Sequence, residues 1–343
     1  MSFTLSRKTG GLINALRPTT RLISYKGILQ ARYLTKTQII KNRSHARHFA
    51  TTQITGEEAT YPDIAEFSFK DSISKFVSFK EYALRFTFYE KSSMRDILEA
   101  GVDHNIIPEL QDYVLTEIKD IDSVRRFNIR NYPNLNKNQK KFLGKLNHLL
   151  LNENDRKNLE NYVNDFVLFL CDQASLDDGV DLTMGPCALV LEINENEFEA
   201  DADRKGKRGA EIVWVLCEDK FKGAIKYKNW EVHLVTCMVA AAQWNYYMLD
   251  EVYPEKIVGI RVIEDRFYFY SANIDQSYIE DLFCGRPQND LHVHKYPKGY
   301  GFRISNANER LEVLACLSDL KSYALSLSPK LDVYEKEDLI KKI

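Results

Sequence analysis

No Asp or Glu precedes Glu57, whereas ten Lys and Arg residues lie between Arg7 and Arg47. A stretch this long, basic, rich in Ser and Thr and free of acid has the composition of a mitochondrial transit peptide. Leu12, Ile13 and Leu16, then Leu22 and Ile23, supply the apolar positions of an amphipathic basic helix. Arg47-His48-Phe49-Ala50 follows the arginine-minus-three pattern of matrix processing sites, which predicts cleavage after Phe49 and a mature chain in the mitochondrial matrix. The plainer alternative is a disordered basic arm. Also missing is any run of roughly 18 apolar residues, so no membrane span is expected.

Removing the ten early cations from the 47 Lys and Arg leaves 37 against 49 acids, a balance near −12 for the remainder. So acidic a body does not coat nucleic acid indiscriminately, and any such binding must use a local patch. Hydrophobic content of 44% and aromatic content of 12% argue for a packed core rather than disorder.

The six cysteines form no C-x-x-C pair and mostly have apolar neighbours. That fits small buried hydrophobes better than disulfides or zinc ligands. His233 and Cys237 share a helix face and read as packing rather than a zinc site. His292 and His294 alternate on one strand face without an evident third ligand and read as a surface feature. The chain contains no G-x-x-x-x-G-K-[ST], G-x-S-x-G, H-E-x-x-H or G-x-G-x-x-G, and no internal repeat.

Four segments are predicted: a transit peptide at 1–49, a linker and mostly helical region at 50–154, a core at 155–285, and a C-terminal extension at 286–343 that packs on it. In the second, helical spacing marks 93–99, 108–118 and 136–151. It carries no chemical motif, and its expected role is to pack on the core or shape a cleft. In the third, Asn154-Asp155 starts a helix with Leu159, Val163, Phe166, Val167 and Leu170 on one face. Strands follow at 187–193, 197–203 and 211–220. Arg204-Lys205-Gly206-Lys207-Arg208-Gly209 between the last two reads as a basic hairpin loop. A helix at 230–248, strands at 256–263 and 267–272 joined by Glu264-Asp265-Arg266, and a helix at 276–283 complete the core. Beyond an irregular stretch come a strand at 300–304 and a helix at 308–327, with Val313, Leu317, Leu320, Ala324 and Leu327 on one face. The order predicts an α/β fold around a mixed central sheet.

The run Glu211 to Lys220 is apolar until it ends in Glu218-Asp219-Lys220. A buried strand has no packing reason to finish on charges, which are costly unless paired or used. Glu218 and Lys220, two apart, project from the same face, and Asp219 from the other. Acids alternate at 197, 199, 201 and 203 on the preceding segment. Two carboxylates brought together repel unless a divalent cation lies between them, and carboxylate ligands suit Mg²⁺. The bland counterpart is a Glu-Lys pair at a solvated strand end behind a solvated acidic edge strand.

An acid, Glu-x-Lys closing the next strand, then Gln243 and Tyr247 four apart on the following helix resemble the catalytic layout of the PD-(D/E)XK nuclease superfamily, including its RecB-like branch. The resemblance covers about 160–283 and implies a restriction-endonuclease-like αβββαβ core. It implies further that Asp203 and Glu218 hold Mg²⁺ or Mn²⁺, with Glu160 as a further metal-linked acid. Lys220 would serve the attacking water and Gln243 would support the site. A Glu-Ala-x-x stretch before the acid favours Asp203, although Asp201 shares its face and stays open, and Arg204-Lys205-Gly206 departs from the apolar residues usual in the family. Arg204, Lys205, Lys207, Arg208, Lys222 and Tyr247 are the expected contacts to DNA or RNA, with Lys226 and Lys228 nearby. The implied activity is phosphodiester hydrolysis. The alternative is a fold retained as an inactive scaffold or RNA-binding assembly factor.

Overall fold

Nine residues from Glu211 to Asp219 form the strand on which the rest is arranged, and those from Glu211 to Glu218 are buried. A segment buried on both faces must be covered by helices on both sides, and so it is. The computed structural model describes residues 83–155, 159–194, 196–219, 229–249 and 255–331, all within one unit, Thr51–Ile343. The basic amino terminus with its expected processing site lies outside the described residues, as do Lys220, Lys222, Lys226 and Lys228.

The order begins with strand β1 (Phe86–Glu90), then short helices α1 (Met94–Leu98), α2 (Pro108–Gln111) and α3 (Ile121–Arg125). Two longer helices follow, α4 (Lys137–Leu151) and α5 (Leu159–Gln173). Next come β2 (Leu182–Cys187), β3 (Val190–Ile193), β4 (Asn196–Glu199), β5 (Ala202–Arg208) and β6 (Glu211–Asp219). Helix α6 (Asn229–Met248) leads to β7 (Glu255–Ile263), β8 (Arg266–Ile274), α7 (Gln276–Phe283), β9 (Leu291–Tyr296), β10 (Phe302–Arg303) and α8 (Ala307–Ser326).

Eight strands make one mixed sheet in the order β1-β9-β8-β7-β6-β5-β2, with β10 also on β8. β6 and β7 are parallel, as are β1 and β9, and the other neighbours are antiparallel. The parallel β6–β7 step needs a crossover, which α6 supplies. One face carries the main core: Phe142, Leu146, Phe166 and Leu170 from α4 and α5 and Val313, Leu317 and Leu320 from α8 pack on Trp214, Leu216, Ile260 and Phe269. The other face is covered by α6, where Leu234 and Met238 lie so close to Gly259 that an added Cβ would come within 2.8 Å of Met238 Sδ. β3 and β4 form a separate two-stranded hairpin.

The α/β class and large mixed sheet agree with the sequence reading. So do the predicted faces of α5 and α8, where Leu327 alone is half-buried, and the turn at Glu264, whose φ is 56°. Several elements differ. The strand expected at 187–193 is divided between β2, which ends at Cys187 in the main sheet, and β3 in the separate hairpin, and of the helical stretch 108–118 only Pro108–Gln111 is helix. The segment 204–208 is strand, not loop: Gly206 stands there because the Trp214 indole occupies the space of a Cβ, leaving only 1.9 Å. The alternating acids at 197–203 are split between β4 and β5 by Ala200 and Asp201, because β4 pairs only with β3. The region before residue 155 contributes strand β1 to the sheet edge, and the irregular stretch after Cys284 contains its partner β9.

Candidate functional site

Along β6, Trp214, Leu216 and Glu218 alternate onto the face covered by α5, and Cys217 points toward α6. The row on the α5 side therefore passes from a filled aromatic position to a carboxylate. Glu218 is 6% exposed, and among the described residues neither of its carboxylate oxygens has a hydrogen-bond partner. Burial pushes its pKa up to about 8; the negative charge of Asp203 adds to this, the Arg204 guanidinium opposes it, and Glu160 on α5 raises it further. The charges of three carboxylates thus act on one end of the sheet.

Each is delivered by a different element. Asp203 is the second residue of β5, and its Oδ2 accepts the backbone amide of Glu218 at 2.7 Å. The register pairs Arg204 with Leu216, so Arg204 shares the α5 face and Asp203 starts from the opposite side. Its carboxylate nevertheless reaches the Cys217–Glu218 peptide at the strand edge. Arg204 is fixed by two donated bonds, one to Asn164 Oδ1 (3.2 Å) and one to the Asp203 carbonyl (2.7 Å). Asn164 lies four residues after Glu160, on the same helical face. That i, i+4 spacing was the available signal for Asn164, which sequence reasoning missed.

Asp203 rather than Asp201 joins the cluster. The carbonyl of Asp201 meets His233 Nε2 at 3.0 Å on the α6 side, and its own side chain is exposed. Gln243 is not brought to the carboxylates. It is buried, donates to the Glu192 carbonyl and accepts the Glu192 amide, both at 2.9 Å. Tyr247 donates its hydroxyl to Glu192 Oε2 at 3.0 Å. The two residues fasten β3 to α6.

Nor do the described basic residues form one patch. Lys205 and Lys207 reach the ring of Trp244 on α6, at 5.3 and 5.9 Å from its centroid, whereas Arg204 lies on the α5 side. Arg208 pairs with Asp181 at 2.5 Å. Strand alternation divides between two faces what the sequence shows as one cluster. His292 is exposed beside Tyr89, and His294 is 3.9 Å from Glu99, both on β9.

Among the described residues no helix is long and apolar enough to cross a membrane. No protein-family model matches the chain, and comparison with curated proteins gives no match.

Proposed function

We propose that this chain has the restriction-endonuclease-like fold of the PD-(D/E)XK superfamily and acts in the mitochondrial matrix as a divalent-cation-dependent hydrolase of phosphodiester bonds in DNA or RNA. One observation carries the reading: Glu218 is a buried carboxylate with two unpartnered oxygens, facing the charges of Asp203 and Glu160. Keeping such a group without a hydrogen bond costs stability unless something else satisfies it. Oxygen donors of this kind fit Mg²⁺ or Mn²⁺. The order α5, β2, β5, β6, α6, β7, with the β3–β4 hairpin as an insertion, supports the αβββαβ reading.

Asp203 and Glu218 would hold the ion, with Glu160 at its side. When bound, it supplies Lewis-acid polarisation of a phosphate oxygen. Asp203 fixes the end of β6 through the Glu218 amide, so the two carboxylates keep their spacing. Glu218 gives up its proton before it ligates, which favours activity toward pH 8. Lys220, two residues on, is assigned to orient the attacking water. Gln243 is assigned a structural role.

A second reading has its own support. The Arg204 guanidinium, held by Asn164, places positive charge beside Glu218. That charge suits a fold kept as a scaffold or RNA-binding factor. The test is to incubate the purified protein with labelled DNA and RNA, with and without Mg²⁺ or Mn²⁺, alongside Glu218→Gln and Lys220→Ala. Cleavage lost in both variants supports the enzyme. Equal cleavage by all three proteins rejects this site, and cleavage by none of them selects the scaffold.

A further inference from the structure

We infer that the opposite face of the same strand carries a second metal site, a thiolate–imidazole centre for Zn²⁺ or another borderline-soft divalent ion, formed by Cys217, His233 and Cys237. Cys217 is supplied by β6, and His233 and Cys237 lie one turn apart on α6. One potential ligand atom from each falls within 4.8 Å of the other two.

The spacing is that of ligands around one ion. Tetrahedral zinc, with bonds of roughly 2.3 Å to sulfur and 2.0–2.1 Å to nitrogen, separates a sulfur from a nitrogen ligand by about 3.5 Å. Cys237 Sγ and His233 Nε2 are 3.8 Å apart. The Asp201 carbonyl accepts from the same nitrogen at 3.0 Å, so binding an ion moves the imidazole proton to Nδ1 and frees the Nε2 lone pair, and a water would fill the fourth position. Both thiols are buried and the imidazole is half-exposed, so an ion enters past His233.

Charge favours the same occupant. Binding releases one proton from each thiol, and two thiolates, a neutral imidazole and a divalent cation sum to zero. A neutral centre can be buried where separate thiolates cannot. Thiolate and imidazole select zinc-like ions, and carboxylates select magnesium-like ones. Cys217 and Glu218 are consecutive on a strand, so β6 presents soft donors to α6 and hard donors to α5. This inference uses none of the carboxylates and stands apart from the phosphodiesterase reading.

The test loads the full-length reduced protein with Zn²⁺ or Co²⁺ alone, then removes excess ion by gel filtration. Expected are one bound zinc per chain, a thiolate-to-cobalt charge-transfer band in the near ultraviolet, and the visible ligand-field bands of a tetrahedral centre. Cys217→Ser, His233→Gln and Cys237→Ser each weaken binding by at least the roughly 10–100-fold that loss of an outer-shell partner costs. Cys284→Ser, at an exposed cysteine, and Glu218→Gln retain the band. Because a ligand variant can misfold, alkylation is mapped in the wild-type chain as well. There, zinc should protect Cys217 and Cys237, and a chelator should restore their reactivity. No cobalt–thiolate band in folded, fully reduced protein overturns the inference, as does a band that survives removal of both cysteines or zinc protection confined to other cysteines.

Discussion

Arg310 and Glu218 are both buried charged residues, and the protein treats them in opposite ways. Arg310, fully buried on α8, donates to five backbone carbonyls: those of Ile304, Leu115, Val114, Ile118 and Ser305, at 2.8–3.3 Å. Burial lowers its pKa to about 10, still far above neutrality, so it remains a cation. Among the described residues nothing bonds to the Glu218 carboxylate, and its pKa rises to about 8. The arginine ties the loop between α2 and α3 to the start of α8. The glutamate ties nothing. A buried charge with every donor used belongs to the architecture, whereas a buried carboxyl that no described residue bonds has no such tie.

Four measurements break or sharpen that contrast. Arg310→Leu should have the largest effect, a loss of about 3–5 kcal/mol in urea unfolding, because it strands several buried carbonyls at once. Glu218→Gln should move the other way. An acid whose folded pKa of about 8 exceeds its ordinary value of 4.5 makes the folded state hold a proton that the unfolded chain releases. Stability therefore falls as pH rises between those values and levels off above them. Replacing the acid should raise stability at pH 8 by about 2–4 kcal/mol, with little gain at pH 4, and should abolish the thermal shift produced by Mg²⁺. A Glu218→Gln variant whose gain over the wild type is no larger at pH 8 than at pH 4 would put Glu218 in the same class as Arg310.

Gln243→Ala tests an intermediate case, a buried polar group with both partners satisfied. Its loss removes the two bonds to the Glu192 amide and carbonyl at a cost of about 2 kcal/mol, and should leave the Mg²⁺ response unchanged. The smallest effect is expected at His104. Burial alone would lower its pKa, but Asp319, bonded to Nδ1 at 2.5 Å, and Glu312 outweigh burial and hold it above the usual 6.5. Asp319 is itself held above the ordinary carboxylate value, since its burial outweighs the pull of His104. A raised histidine pKa gives stability that is full below about pH 6.5 and lost as pH climbs through the folded value. His104→Asn should cost about 1 kcal/mol at pH 5.5, an amount limited by solvent screening, and less at pH 8, as read from unfolding curves at the two pH values.

Much of the architecture could be read from the chain, because apolar period reports directly on burial. The faces of α5 and α8, the long α6 and the β7–β8 hairpin all carry their pattern locally. The errors come from places where composition masks geometry. Lys205 and Lys207 look like loop residues, yet their stems run along the strand to Trp244. β1 and β9 are short, and become strands only by pairing across about two hundred residues of sequence, which no local window contains. At the site, the charges ending β6 were a usable signal: Asp203 bonds the Glu218 amide, and the charges of Asp203 and Glu160 both act on the Glu218 carboxyl. The role expected of Gln243 was not legible, since a glutamine on a helix gives no sign of which backbone it will bond. The Cys217–His233–Cys237 cluster was half visible: the helix spacing showed two members, and the third becomes apparent only once β6 and α6 are in contact.

The parallel pairing of β1 with β9 has a consequence for any attempt to isolate the half that carries Glu218. A recombinant chain beginning at Leu159 would lack the outermost strand and the aromatic and aliphatic surfaces of α1 and α4 that fill one layer of the interior. It would expose a raw sheet edge and an open apolar slab, the two features that drive insolubility. Coexpressed as separate polypeptides, the two pieces should recover each other from solution. Neither should be soluble alone.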